Sequence, residues 1–210
     1  MPRPTLETDL RDFLAPLTDI EPERISRRRV STFARARIED VPMVGYTTMD
    51  SPFGELLIAE SPSGIVRIAF ETEDFDEVIA EIAARVTPSV VRTRQMMQIV
   101  VNHFDAYFNG YIDEFFVDAD LSLAQGFRRS VLGALGEIPY GETRSYREVA
   151  DAVGNPKAVR AVGSACATNP VPLVVPCHRV VKSDGRPGNY RGGVEAKLRL
   201  LRLEGALPGG

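Results

Sequence analysis

The sequence predicts an α+β protein: an N-terminal α+β unit with a small antiparallel sheet, then a mostly helical C-terminal domain with a helix-turn-helix. Two observations predict this fold class. Residues 44–70 alternate β-rich runs with the turn compositions "SPFG" and "SPSG". From Gln125 onward the apolar residues mostly recur at helical spacing. We therefore divide the chain into an extension over residues 1–41, an α+β domain over 42–122 and a helical domain over 123–210.

The extension has two features of its own. Apolar residues between Leu6 and Leu17 fall at helical spacing opposite acidic residues, which predicts a short amphipathic helix. The run "RISRRRVSTFARAR" over residues 24–37 follows and contains no acidic residue. This run is either a basic arm that contacts phosphates or a solvated linker.

The middle domain combines strands with helices. Its β-rich runs predict two or three antiparallel strands, and "DFDEVIAEIAARV" and "RQMMQIVVNHFDAYFNG" have helical periodicity, the second ending at Gly110. The segment "DEFFVDADL" predicts one further strand.

The last domain contains four predicted helices. The first, over residues 126–138, ends at the turn "PYGE". Ser145 and Glu148 predict a capping box at the start of the second. A two-residue break follows, then Asn155 as cap and Pro156 as first residue of the third helix. The second and third helices together resemble a helix-turn-helix. A fourth helix, "GVEAKLRLLRLEG", ends the chain.

The third helix is unusual for one that reads bases in a major groove. Its long polar side chains are confined to Lys157 and Arg160, and mostly small residues follow as far as Ala167. Small residues allow close approach, either to another helix or to the floor of a DNA minor groove. Composition alone leaves both interpretations open, and in the second Arg160 is placed to insert into the duplex.

Cys177 and His178 lie side by side in the proline-rich apolar stretch "NPVPLVVPCHRVV". A thiol needs a nearby base or positive charge to become a nucleophile. Neighbouring side chains of an extended segment point to opposite sides, so contact between the two requires a bound water or a bend. The alternative is a buried structural cysteine beside a hydrogen-bonded histidine. The loop "GNYRGG" that follows has the composition of a lid or pocket wall.

Composition restricts the possible partners. With a net charge of −4 the protein as a whole is not attracted to the negatively charged nucleic-acid backbone, so any DNA contact requires a local basic patch. No apolar run is long enough for a membrane span, and no secretory signal is recognisable, so we expect a cytoplasmic protein with free thiols. Two cysteines and two histidines give little basis for a structural zinc site, and we expect no metal.

Several motifs are similar to those of a known family. The segments "IPYGETRSYREVA", "GNPKAVRAVGSACATNPVPLVVPCHRVV", "GNYRGG" and "KLRLLRLEG" resemble, in order and spacing from Phe127 to Gly205, the O6-alkylguanine-DNA alkyltransferases. A weaker similarity extends back to Gly45. The resemblance implies a protein that transfers an alkyl group from O6 of guanine, or O4 of thymine, onto its own cysteine. It implies one turnover and no cofactor, and thus a methylated-DNA–protein-cysteine methyltransferase.

The resemblance also implies roles for the site residues. Cys177 corresponds to the acceptor thiol, His178 to the residue that deprotonates it through a water, and Glu204 to the carboxylate that orients the imidazole. Asn169 corresponds to the hinge between the helix-turn-helix and the reactive loop. Tyr146 corresponds to the tyrosine that helps turn out the nucleotide and donates a proton to the leaving guanine.

The remaining correspondences concern DNA and the base pocket. Arg160 corresponds to the arginine that fills the vacated place in the base stack. The minor-groove helix then includes Ala161, Gly163, Ser164 and Ala165. The base pocket includes Tyr146, Val180, Tyr190, Arg191 and Lys197, with the carbonyls of Cys177 and Val180 as acceptors for the guanine amine.

This chain departs from the family pattern at several positions. Arg191 stands where many members have a small residue, and would narrow the pocket mouth or contact a phosphate. Ala167 replaces an arginine of some members, Cys166 adds a second thiol, and residues 1–41 have no counterpart in the short members.

We expect a single-use DNA repair protein whose partner is duplex DNA with an alkylated guanine. It would need neither membrane nor nucleotide cofactor, would be monomeric in solution with clustering on DNA, and would associate with the bacterial nucleoid when acting. The main alternative is a lesion-binding or regulatory helix-turn-helix protein without acceptor activity. A cysteine hydrolase is the third hypothesis, and it leaves the small-residue helix unexplained.

Overall fold

The computed structural model describes residues 37–38 and 41–207, so the predicted helix before Leu17 and most of the arginine-rich run lie outside the described residues. A four-stranded sheet has the order β5-β4-β3-β6, in which β3, β4 and β5 are antiparallel and β6 runs parallel to β3. A separate antiparallel pair precedes it. The strands are β1 Arg37–Ile38, β2 Val41–Pro42, β3 Val44–Ser51, β4 Gly54–Ser61, β5 Gly64–Phe70 and β6 Val90–Arg92.

The two predicted turns connect the antiparallel strands. In the first, the Ser51 hydroxyl donates to the Gly54 carbonyl at 2.6 Å and accepts from the Phe53 amide. In the second, Gly64 has a φ of +125°, and an added Cβ would lie 2.3 Å from the carbonyl oxygen of Asp118. Only glycine fits there, because both the backbone conformation and the close approach exclude a side chain.

The sheet buries both faces, as strand β4 shows. Leu56 and Ile58 pack into the main hydrophobic cluster, whereas the alternate residues Leu57 and Ala59 pack into a second cluster. This alternation follows from the two-residue period of a strand. The second cluster contains Val78 and Ile82 of helix α1 (Phe75–Arg85), which covers that face.

The helices of the middle domain were predicted correctly and its last strand was not. Helix α1 begins after the cap Asp74, and helix α2 spans Gln98–Phe108. The predicted strand over residues 113–121 is absent among the described residues: only Ala119 forms a bridge, to Ile65. Its aromatic residue Phe115 packs against the core instead of a strand neighbour. The short strand β6 was not predicted.

The C-terminal part is mostly helical, which confirms the α+β fold class. Two short parallel strands also pair there, β7 Arg144–Ser145 with β8 Val180–Val181, and these were not predicted. The helices are α3 Gly126–Gly136, α4 Tyr146–Ala152, α5 Val159–Ala167, the 3-10 turn η1 Cys177–Arg179, and α6 Gly193–Leu203.

The helix-turn-helix differs from its prediction in one connection. The capping box at Ser145 and Glu148 is present with both hydrogen bonds. The third helix, however, begins at Val159 rather than Pro156. The Ala158 amide donates to the Asn155 carbonyl at 2.9 Å, so these residues close a separate turn, and the connection is longer than two residues.

The described residues belong to one compact unit, and the domain boundary proposed between residues 122 and 123 stays a prediction. Within residues 41–207 no helix has both the length and the apolar character needed to cross a membrane.

Candidate active site

The segment that joins α5 to η1 is folded tightly. The Ile68 amide on β5 donates to the Pro170 carbonyl at 2.8 Å, and the Val175 amide donates to the Val171 carbonyl at 2.9 Å. Between these, Leu173 has a φ of 76°, in the left-handed region that residues with a Cβ rarely adopt. Leu173 is 1% exposed, so burial of its side chain offsets the backbone strain.

The sulfur of Cys177 lies at the end of this segment and is buried. Asn169 Nδ2 donates to Cys177 Sγ at 3.2 Å and to the Val175 carbonyl at 2.9 Å, while its Oδ1 accepts from the Val171 amide. Burial raises the pKa of the Cys177 thiol, although the Asn169 hydrogen bond and the charge of Lys197 act in the opposite direction. The resting sulfur is therefore a thiol, and its activation requires a base.

The backbone at Cys177 is bent, which is one of the two arrangements that the sequence left open. Residues Cys177–Arg179 form the 3-10 turn η1, in which the Arg179 amide donates to the Pro176 carbonyl at 2.9 Å. The Cys177 amide donates to the Val175 carbonyl at 2.8 Å, which bends the chain just before the turn. The rule that strand neighbours point to opposite sides does not apply here.

Glu204, the C-terminal cap of α6, collects hydrogen bonds from four residues. Its Oε1 accepts from His178 Nε2 at 2.8 Å, from the Tyr107 hydroxyl at 2.6 Å and from Arg179 Nη2 at 2.9 Å. Its Oε2 accepts from Arg179 Nε at 2.8 Å and from the Gly141 amide at 3.4 Å. Burial raises the pKa of Glu204, but the hydrogen bonds from His178 and Arg179 outweigh it and lower the pKa to about 2.

The ionised Glu204 fixes the tautomer of His178. A carboxylate only accepts, so Nε2 of His178 carries the hydrogen, and in the neutral ring Nδ1 keeps a lone pair. Burial lowers the pKa of His178, and the bond to Glu204 opposes that change. Nδ1 is buried and has no hydrogen-bond partner within the described part of the chain. The ring is therefore a neutral base with its free nitrogen available.

Two side chains of this network were not predicted. Arg179 is buried and also donates to the Ile138 carbonyl at 2.6 Å; a charged residue within the apolar run "VVPCHRVV" was a signal that a carboxylate partner lies nearby. Tyr107 lies 97 residues before Glu204, and no sequence pattern connects the two.

Tyr146, at the start of α4, lies against the loop before α6 and near the predicted pocket residue Lys197. A Cβ on Gly188 would lie 2.1 Å from the Tyr146 hydroxyl, so the loop packs directly on this ring. Lys197 Nζ lies 5.9 Å from the ring centroid and donates to the Val180 carbonyl. Burial and the nearby thiols of Cys166 and Cys177 raise the pKa of Tyr146 to about 12, so the hydroxyl keeps its proton.

The loop after the reactive turn carries Tyr190 and Arg191. The Tyr190 ring is buried, with its centroid 5.6 Å from Phe70 and 6.3 Å from His178. Arg191 Nη1 donates to Glu73 Oε2 at 3.0 Å. This ion pair, which was not predicted, ties the loop to the turn between β5 and α1.

Helix α5 presents part of its predicted DNA-binding set. Arg160, Ala161 and Ser164 are exposed, and Gly163 is half-buried. Ala165 is 3% exposed and packs in the core, because the helical period turns it inward, so the structure does not place it on the exposed face with the other three.

Cys166 lies on the inward face of the same helix. Burial and the neighbouring Cys177 thiol raise its pKa to about 12. Like the thiol of Cys177, this thiol is protonated at rest and needs a base to become a nucleophile.

Comparison with known proteins assigns the chain to a family. Residues 44–120 match the model described as "6-O-methylguanine DNA methyltransferase, ribonuclease-like domain", and residues 126–206 match "6-O-methylguanine DNA methyltransferase, DNA binding domain". The methylated-DNA–protein-cysteine methyltransferase of Methanosarcina barkeri is 36% identical over 162 residues, which are 76% of this chain and 96% of the relative. The chain belongs to the 6-O-methylguanine DNA methyltransferase family.

Further family members agree in sequence and in fold. The constitutive methylated-DNA–protein-cysteine methyltransferase of Bacillus subtilis is 40% identical over 166 residues, covering 76% of this chain and 94% of the relative. The crystal structure of Mycobacterium tuberculosis OGT in complex with DNA superposes with a TM-score of 0.65 at 37% identity, covering 77% of this chain and 93% of that one.

Proposed function

We propose that this protein repairs duplex DNA by transferring the alkyl group of an O6-alkylguanine to Cys177, once per molecule and without a cofactor. The observation that supports this most directly is the buried Cys177 thiol, followed in the chain by His178, whose Nε2 donates to Glu204 and whose Nδ1 has no partner among the described residues, in a chain that belongs to this family. The same chemistry extends to O4-alkylthymine, where an alkyl carbon is again bonded to an exocyclic oxygen.

The reaction is a direct displacement at the alkyl carbon. The bond from Cys177 Sγ to this carbon forms while the bond from carbon to O6 breaks, and the electron pair stays with the guanine. The thiol proton passes through a water to His178 Nδ1. The leaving guanine takes up a proton from Tyr146, and the tyrosinate regains one from the protonated His178 through water, so that an alkylated cysteine and a normal guanine result while Tyr146 and His178 return to their neutral forms. Glu204 holds the imidazole and stabilises its charge.

The proposal assigns base flipping to the exposed face of α5. A guanine within a duplex cannot reach a buried sulfur, so the nucleotide has to rotate out of the stack. Arg160 is exposed near the start of α5 and can enter the vacated place, with Ala161 and Ser164 close to the minor-groove floor. Tyr190 and Arg191 then close over the extrahelical base, and the Val180 carbonyl retains a second lone pair for the guanine amine.

The further parts of the proposal concern partners and location. The protein binds duplex DNA with an alkylated guanine as a monomer that clusters along the strand. It acts in the cytoplasm, on the nucleoid.

The amount of repair at limiting protein tests this function. Excess duplex with a single O6-methylguanine should regain at most one normal guanine per protein molecule. Cys177→Ser should restore none, whereas Cys166→Ser, a matched change of the second thiol, should restore as much as the unmodified protein.

Two other outcomes would identify the alternatives. Tight binding of the lesion without repair by the unmodified protein would favour a lesion-binding protein. Repeated turnover on an ester or amide would favour a hydrolase.

A further inference from the structure

Tyr107 on α2 makes an unusual contact for a residue of the hydrophobic core. Its side chain is fully buried among aromatic residues, with ring centroids 4.7 Å from Phe115 and 5.7 Å from Phe108. Its hydroxyl nevertheless donates to Glu204 Oε1 at 2.6 Å. Burial and the neighbouring Glu204 charge raise the pKa of Tyr107 well above its ordinary value, so this hydroxyl is a donor at every working pH.

Three donors therefore converge on one oxygen. Tyr107, His178 and Arg179 all donate to Glu204 Oε1, whereas a carboxylate oxygen offers about two lone-pair sites. The three hydrogen bonds compete, because each donor draws on the same negative charge of Glu204 Oε1 and so weakens the bonds from the other two donors. The strength of the bond to His178 therefore depends on Tyr107.

We propose that Tyr107 is a positioning residue for alkyl transfer, which holds Glu204 Oε1 in place and limits how strongly Glu204 stabilises the protonated His178 ring. The inference rests on the proposed function, since His178 is the base of that reaction. It gives Tyr107 a role beyond packing: to keep His178 neutral and able to accept the thiol proton.

The surroundings of His178 and Glu204 include other charged and titratable groups that the test has to leave unchanged. The groups that act on the pair are Tyr140, Arg179, Tyr190 and Lys197, and Cys177 precedes His178 in the chain. Tyr140 provides the matched control: its ring lies 6.2 Å from that of Tyr107, but its hydroxyl donates to the Leu203 carbonyl at 3.0 Å and not to Glu204.

Tyr107→Phe removes the hydroxyl and keeps the ring. Glu204 then binds His178 more strongly, the pKa of His178 rises, and more of the ring is protonated in acid. The rate of alkylation by free O6-benzylguanine is measured against pH. The acidic limb, the low-pH range in which this rate falls as His178 becomes protonated, should move to higher pH by about half a unit to one unit. On that limb the rate should fall about three- to tenfold, and on the plateau it should stay within about twofold.

Tyr140→Phe should leave the limb in place. Two results for Tyr107→Phe would overturn the inference and leave Tyr107 a packing residue: an acidic limb at the same pH as in the unmodified protein, or an alkylation rate reduced by the same factor at every pH.

A second measurement separates this inference from the proposed function. Nitrogen-15 NMR of the histidine rings reports the charge and tautomer of His178 without any reaction, and His103, the other histidine, supplies reference signals. The His178 ring should protonate at higher pH in Tyr107→Phe than in the unmodified protein. If the unmodified protein takes up no alkyl group, the proposed function fails while the NMR comparison still decides the influence of Tyr107; equal titrations would overturn it.

Discussion

Replacing Glu204 with glutamine removes the one carboxylate that joins His178, Arg179 and Tyr107. Glutamine has nearly the same shape, so packing is preserved and the change acts through charge. The guanidinium of Arg179 stays buried but loses its counter-charge. The variant should therefore fold with the same structure and be substantially less stable.

The size of this effect follows from the pKa of Glu204. Lowering this pKa from 4.5 to about 2 corresponds to about 3 kcal/mol of stability, at about 1.4 kcal/mol per pH unit. Because the folded state lowers the pKa, this stability is present above pH 4.5 and is lost as the pH falls towards 2. Breaking a buried ion pair by removing one partner costs about 3–5 kcal/mol, which agrees.

Urea unfolding at about pH 8 measures the effect, since Glu204 is then ionised and His178, whose pKa burial lowers, is neutral. The variant should lose about 3 kcal/mol of unfolding free energy. Glu195→Gln is a matched control on the same helix, because Glu195 is exposed and lies 4.0 Å from Arg202; it should change stability by less than about 0.5 kcal/mol. If Glu204→Gln were as stable as this control, the buried network would not have the strength assigned to it.

Three further changes test other parts of the account. Arg160→Ala should slow repair of duplex DNA far more than reaction with free benzylguanine, in single-turnover assays, because only the duplex requires base flipping; equal losses would exclude that role. Ser145→Ala removes the capping box and should lower the free energy of unfolding in urea by about 1 kcal/mol, and an unchanged midpoint would show that the cap does not stabilise the protein. If the arginine-rich run contacts phosphates, deleting residues 1–40 should flatten the salt dependence of DNA binding between about 50 and 200 mM, and an unchanged slope would make it a linker.

The elements that sequence predicted well are those fixed by local chemistry. The turns at Gly54 and Gly64 and the capping box at Ser145 depend on residues only a few positions apart. The predicted set of Asn169, Cys177, His178 and Glu204 is also brought together, joined by hydrogen bonds in the pairs Asn169–Cys177 and His178–Glu204. That set came from a family resemblance and not from spacing, and the roles assigned to its members stay predictions.

The features that were missed depend on contacts between distant segments. Strand β6 is three residues long and exists because β3 offers a free edge. The bonds from Tyr107 to Glu204 and from Arg191 to Glu73 join residues 97 and 118 positions apart, and a tyrosine or arginine alone does not reveal its partner. The family resemblance assigned Ala165 to the DNA-binding helix without regard to side, whereas the structure places its side chain on the inward side of α5.

The most direct test of the central claim is the mass of the protein after mixing with duplex DNA that carries one O6-methylguanine, followed by peptide mapping. The protein should gain one methyl group per molecule, on the peptide that contains Cys177 and not on the one that contains Cys166, while the guanine is restored. DNA binding with no gain in mass, or a methyl group on any other residue, would contradict that claim.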